Sequence, residues 1–416
     1  MYAQCGSLIS ANNLFDSLQN KDVVTWNALI NGSAQTGGAE SSLLMFHKLQ
    51  TTGLQPDHGT IMGTLSACAF LDKLTQGTCV YGLVIKKGFE SDLHVKNALL
   101  DMFAKCGDLT AAKTIFCEIK SSADVVSWNT MIAGYLHNGF ANEAMSAFFK
   151  MRAENFMPNL VTLVSIIPTA ACLSSLRDGF SLHSITIKTG FESHVVVKNS
   201  LIDMYSKCGR LEFARDLFDQ MNCRSIITWN AMLAGYAMHG IVSSAIDLLS
   251  QMKESCILPD SVSFVSLLSA CRHGGLVDEG RKFFKSMCTE YGLEPNKKHY
   301  AAMVDLLGCA GLFDEALKLI DQIPKEIDAS VWGALLGAAK IHSNLKMGEL
   351  AVEHLVQLEP KSPSHFVILA NIYASSGRWA DAGKMRTMIR NMGLCKSPGC
   401  SWVDSRKTSH LTIGAV

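Results

Sequence analysis

Cysteine and histidine hold most of the reactive chemistry available to this chain, with 14 of the first and 13 of the second among 416 residues. Set as HxE with a following CxxC, such side chains hold zinc and activate its bound water. No histidine here has glutamate two residues on, and no CxxC occurs. Cys395 and Cys400 have four residues between them and no ligand types close by, so they read as structural. HExxH, a Walker loop, GxGxxG and a nucleophile elbow are also missing. The sequence therefore offers no catalytic residue, no metal set and no cofactor site. The cysteines recur in register instead: Cys5, Cys106 and Cys208 in one context, Cys68, Cys172 and Cys271 in another. That pattern reads as a small apolar side chain at a repeated packing position, in a reducing compartment. A second group also recurs, the primary amide. Asn27, Asn129 and Asn230 each follow a tryptophan, and Asn97 and Asn199 hold the matching place between them. An amide both donates and accepts hydrogen bonds, although asparagine is also a common helix cap.

The elements that carry these amides repeat. VVTWNALI, VVSWNTMI and IITWNAML place Trp26, Trp128 and Trp229 at intervals of 102 and 101 residues. Each long period divides into three unequal units. In order they are 23–57, 58–92, 93–124, 125–159, 160–194, 195–225, 226–260, 261–296 and 297–328. Inside a unit, Trp128, Met131, Ile132 and Tyr135 fall at i, i+3, i+4 and i+7, one buried helix face. Asn138–Gly139 breaks that helix, Ala144, Phe148, Phe149 and Met151 give a second apolar face, and Pro158 ends it. Two helices of about a dozen residues are too short to stand alone in water, so neighbours must bury one another's faces. The predicted fold class is all-α: an α-solenoid, a right-handed superhelix of stacked antiparallel helix pairs.

Composition agrees with that architecture. Hydrophobic residues make up 48% and charged residues 18%, enough apolar surface for a long core. No run reaches the length of a membrane span, so no membrane partner is expected. Net charge is zero, so affinity for a polyanion must come from local placement of Lys and Arg. The opening MYAQCGSL matches MFAKCGDL at 102–109 and MYSKCGRL at 204–211, ten residues into a unit. Residues 1–22 are accordingly expected to be the remainder of a cut unit with an apolar helix face exposed, and upstream units and a targeting peptide to be missing.

Helix pairs of 35 residues that open VVTWNALI and close G-x-x-P-D resemble pentatricopeptide repeats. The alternation of 35, 35 and 31–32 residues is similar to the plant subclass built from standard, long and short repeats. Residues 297–328 resemble its final short repeat. Residues 329–404, from ASVWGALLGAAKIHSNLKMGELA to GCSWVD, resemble the paired E-type motifs, with 405–416 left as an irregular tail. Tetratricopeptide repeats, which would make a peptide-binding scaffold, keep a constant length and do not set Asn after Trp.

The resemblance implies recognition of single-stranded RNA, one base per repeat, through the fifth and last residues. The fifth residues are Asn27, Asn97, Asn129, Asn199 and Asn230. The last are Asp57, Asp124, Asn159, Ser225 and Asp260. Carboxylates suit the N3–H of uracil, Ser225 can donate to N3 of cytosine, and Asn159 can do either. Met62, Val164 and Val265 occupy the fifth place of the long repeats, which are then spacers. The implied target is 5′-U-n-U-Y-n-C-U-n-n, with Y either pyrimidine. Val24, Val126, Val196 and Ile227, at the second place, would flank bases as apolar wedges, unless they are simply packed at a helix start. Lys105 and Lys207 would meet phosphates, unless they belong to a solvated face.

Related chains often end in a zinc deaminase domain, whose signature these 416 residues do not contain. The resemblance thus implies a non-enzymatic site-recognition factor for C-to-U editing in a mitochondrion or chloroplast. Its residues 329–404 would recruit a deaminase-bearing protein. A non-editing factor for transcript stability, splicing or translation is the alternative, and the ragged ends also fit an inactive gene product. Ala301 and Cys309 make the final short repeat a poor reader.

Overall fold

In the computed structural model, residues 7–324, 327–360, 362–392, 400–405 and 408–413 are described. The chain forms two compact units, Met1–Arg210 and Leu211–Val416.

The first unit begins with α1 (Leu8–Ser17). Four helix pairs follow: α2 (Val23–Gln35) with α3 (Ala39–Thr51), α4 (His58–Phe70) with α5 (Leu74–Lys87), α6 (Leu93–Lys105) with α7 (Leu109–Ile119), and α8 (Val125–His137) with α9 (Ala141–Ala153). It closes with α10 (Leu160–Cys172), α11 (Leu176–Lys188) and α12 (Val195–Lys207). Alternate helices stack in a row, α2 on α4, α4 on α6, α6 on α8, α8 on α10 and α10 on α12. α1 buries Phe15 and leaves Ile9 and Leu14 exposed.

The second unit holds α13 (Leu211–Asp219), α14 (Ile226–Met238), α15 (Val242–Glu254), α16 (Ser261–Gly274), α17 (Val277–Thr289), α18 (Lys297–Cys309) and α19 (Phe313–Asp321). It continues through α20 (Ala329–Ile341), α21 (Leu345–Leu358), α22 (Pro363–Ser375) and α23 (Trp379–Asn391). The same stacking joins α14, α16, α18, α20 and α22. Among the described residues no helix is long and apolar enough to cross a membrane.

Capping sets the period. Asp22, Asp57, Asp124, Asn159, Ser225 and Asp260 each cap the helix that starts one residue later, accepting from the backbone N–H three residues on. The buried rings add a second repeated device. Trp26, Trp128 and Trp229 lie nearly perpendicular to Phe15, Phe116 and Phe218, with ring centroids 4.6, 4.8 and 4.9 Å apart. Their indole N–H groups have no oxygen or nitrogen partner, and a perpendicular aromatic neighbour is the geometry in which such an N–H can meet a π face. The cysteines divide by context. Cys106 and Cys208 point their thiols at the carbonyls of Cys68 and Ala170, both at 3.7 Å. Cys68 and Cys271 are buried, but Cys172, the last residue of α10, is exposed and does not pack as its register suggested. Cys5 lies outside the described residues.

One correction concerns the C-terminal end. Residues 405–416 were expected to be an irregular tail. Instead β1 (Cys400–Ser405) pairs antiparallel with β2 (Thr408–Ile413), Cys400 opposite Ile413 and Ser405 opposite Thr408. The physical reason is composition: Trp402, Val403, Thr408, Leu411, Thr412 and Ile413 form two short runs rich in strand-favouring residues. The helical array itself is unaffected.

One junction contains a titratable staple. His299, in the first turn of α18, is fully buried. Its Nδ1 accepts from the Asn296 N–H at 3.1 Å and its Nε2 donates to the Ser261 carbonyl at 2.8 Å. Both partners fix the neutral tautomer, because the backbone donor needs an unprotonated Nδ1. Burial lowers the imidazole pKa below 6.5, outweighing the Ser261 carbonyl, which raises it. With the folded value below the unfolded one, the stabilisation is complete above about pH 6.5 and is lost as pH falls towards the folded value. His299→Gln, which does not protonate, should flatten that acid limb in urea unfolding of the chain between pH 7.5 and 5. An unchanged slope would overturn the assignment.

Candidate nucleic-acid interface

The repeated amides are not caps. Asn27, Asn97, Asn129, Asn199 and Asn230 all sit five residues into a helix, in α2, α6, α8, α12 and α14. Capping belongs to the residue before each helix. The cap explanation of the amides therefore fails on position.

In three repeats the amide and the last residue of the same repeat meet. The Asn27 amide Nδ2 donates to both carboxylate oxygens of Asp57, at 2.7 and 2.9 Å. Asn129 Nδ2 donates to Asn159 Oδ1 at 3.2 Å, and Asn230 Nδ2 to Asp260 Oδ1 at 3.0 Å. In the fourth, Asn97 Nδ2 stands 3.5 Å from Asp124 Oδ1, at the edge of bonding distance. Asn199 lies in the first unit and Ser225, the cap of α14, in the second. The Asn199 side-chain amide oxygen is buried without a hydrogen-bond partner.

Each last residue thus does two jobs. Asp260 Oδ1 takes the Asn230 amide and the Ser263 N–H, so these bonds leave Oδ2 for another donor. Asp124 is arranged likewise, with its bonds from Asn97 and Ser127 all on Oδ1. Partial burial pushes the carboxyls of Asp57, Asp124 and Asp260 up, but the backbone and side-chain donors outweigh it and hold all three below 3.8. At neutral pH all three are ionised and act only as acceptors.

Val24, Val126, Val196 and Ile227 are 70, 53, 47 and 64% exposed. Helix-start packing does not account for the whole of these β-branched side chains, because about half or more of each faces solvent at the same repeated place. Sequence reasoning missed two more of the same kind, Val161 and Val262, in long repeats (58 and 55% exposed). The signal was present, since both fill the second place of their repeats. At Gly59, the matching place of the first long repeat, a Cβ would come within 2.8 Å of the Asn27 amide nitrogen. Met62, Val164 and Val265 are half-buried, in keeping with their apolar character. Lys105 and Lys207 are exposed and each pairs with an aspartate one turn earlier, Asp101 at 2.8 Å and Asp203 at 2.7 Å. Those partners already offset much of the charge a phosphate would meet. Among the described residues no cluster of three or more His, Cys, Asp or Glu can hold a metal.

Comparison with known proteins finds one repeat family along much of the chain. The PPR repeat matches residues 24–54, 95–122, 196–226, 262–290 and 298–326, the PPR repeat family matches 123–171 and 224–273, and the E motif matches 342–404. Among Arabidopsis thaliana proteins, pentatricopeptide repeat-containing protein At2g39620 is 43% identical over 97% of this chain and 47% of its own length. At3g57430, chloroplastic, is 38% identical over 99% of this chain and 47% of its own length. The putative At3g13770, mitochondrial, is 38% identical over 98% and 65%. The chain spans about half the length of the first two. Among solved structures, the pentatricopeptide repeat protein PPR10 in complex with an 18-nt psaJ RNA element superposes with a TM-score of 0.67 at 19% identity, covering 94% of this chain and 59% of that one. That likeness is one of fold. With its 35-residue helix pairs, its capped repeat boundaries and its matched E motif, the chain belongs to the pentatricopeptide repeat family.

Proposed function

We propose that the chain binds single-stranded RNA in an organelle and selects a site for C-to-U editing, with a deaminase supplied by another protein. The observation that carries the RNA reading is the recurring pair of an amide and the last residue of its repeat, beside exposed apolar second residues. The amide and its acidic partner form a polar edge for one base, and the β-branched residues offer flat apolar contact on either side of it. PPR10, which shares the fold, was crystallised with an RNA element, and the names of related chains include chloroplastic and mitochondrial proteins. The E motif over 342–404 supports an editing role and is the proposed contact for the deaminase. Binding needs neither metal nor cofactor.

The expected ligand is 5′-U-n-U-Y-n-C-U-n-n. In a gel-shift assay at fixed salt, this RNA should bind at least tenfold more tightly than one with its U positions changed to G, since each good base contact contributes about 1–3 kcal/mol. Equal affinities would sink the reading. Sequencing organellar transcripts from a loss-of-function line then tests the biological role: a lost C-to-U change downstream of the bound sequence supports editing. Altered transcript ends or introns with every edited site intact would replace editing by stabilisation or splicing.

A further inference from the structure

The long repeats, expected to be spacers, contribute a side chain to the repeat before them. The third residue of each long repeat is Thr60, Thr162 or Ser263, and each is fully buried. Its hydroxyl donates to the amide oxygen of the preceding standard repeat: Thr60 Oγ1 to Asn27 Oδ1 at 2.5 Å, Thr162 Oγ1 to Asn129 Oδ1 at 2.6 Å, and Ser263 Oγ to Asn230 Oδ1 at 2.6 Å. An amide oxygen accepts only, so the hydroxyl must be the donor. Its Nδ2 meanwhile donates to Asp57, Asn159 or Asp260. The amide is held at both ends. Turning it over would set its oxygen against the oxygen of the last residue, a carboxylate in two of the three repeats.

The short repeats differ. Ser127 occupies the same third place after Asn97, yet its hydroxyl bonds only Asp124, at 2.9 Å. The Asn97 amide oxygen is buried with no partner, and so is that of Asn199. Residue type is not the cause, because Ser263 is also a serine and makes the bond. The spacing differs instead: 30 positions separate Asn97 from Ser127, against 33 in each bonded pair.

We infer that Thr60, Thr162 and Ser263 are positioning residues: each long repeat completes the reading site of the standard repeat before it by locking its asparagine amide in one orientation. Standard repeats then discriminate bases with a preorganised amide, while short repeats carry an unlocked one and discriminate less. This rests on the RNA reading above and assigns the long repeats a part in it.

The test uses the full chain and synthetic RNAs varied at one nucleotide. At the seventh nucleotide, opposite Asn230 and Asp260, Ser263→Ala should reduce the preference for U over C about tenfold, the scale of one base contact, and Ser263→Thr should keep it. Ser127→Ala removes the equivalent bonds to the helix cap of α8 but no lock, so the preference at the third nucleotide should stay within about twofold. A merely structural role would lower affinity for every RNA alike and leave both ratios unchanged. Ser263→Ala with the wild-type ratio, or equal losses from Ser263→Ala and Ser127→Ala, overturns the inference while the RNA reading stands. A wild-type chain that shows no preference at either nucleotide overturns the RNA reading, and the inference with it.

Discussion

Trp128→Asp should abolish cooperative unfolding of the repeats around α8, a local loss of more than about 4 kcal/mol. The ring is 2% exposed and lies against Phe116 of α7 at 4.8 Å and Phe156 at 6.5 Å. Truncating a buried tryptophan alone costs about 3–5 kcal/mol, and an unpaired carboxylate in its place adds desolvation. Because each repeat touches mainly its neighbours, the loss should appear as two separated transitions and not as one lowered midpoint. Calorimetry with limited proteolysis near residues 120–125 reads this directly. Trp128→Phe keeps a ring there and should cost far less. A single transition unchanged from wild type would show that the tryptophan does not couple the repeats.

Asp260→Ser should turn the preferred seventh nucleotide from U to C. Serine replaces an acceptor-only carboxylate by a group that can donate to the unprotonated N3 of cytosine. A change of about 1–3 kcal/mol per base contact amounts to roughly five- to hundredfold in the affinity ratio. The fold should tolerate the change, because Ser225 already caps α14 in the same way that Asp260 caps α16. Binding measurements on the two RNAs with wild type and variant, at one salt concentration, form the check. An unaltered ratio would mean that the last residue serves only as a cap.

That double use explains why parts of the site were legible in the sequence and parts were not. The fifth-place asparagines stood out because they recur beside tryptophan. Their competing explanation as caps fell once α2, α8 and α14 were seen to begin four residues earlier. The last residues were legible as polar, but their chemistry had two reasons to exist, a cap and a reader, and both are met on the same side chain. The hydroxyls at Thr60, Thr162 and Ser263 were visible as third residues and passed unnoticed, since their acceptor lies in the helix pair before. Lys105 and Lys207 looked like free positive charges until Asp101 and Asp203 proved close enough to pair with them.

The sequence by itself determined the repeat length, the two-helix unit and where each first helix begins. Those depend on periodicity and capping, which act over a few residues of chain. Only the tertiary structure decided which side chains meet between repeats. Asn27 and Thr60, Asn129 and Thr162, and Asn230 and Ser263 are each 33 positions apart. Their contact depends on how one helix lies on the next, and so does its absence between Asn97 and Ser127. The sequence marks the difference, 33 positions in each bonded pair against 30 from Asn97 to Ser127, but only the stacked helices show which spacing closes the bond, because a shift of less than a side chain's length makes or breaks it.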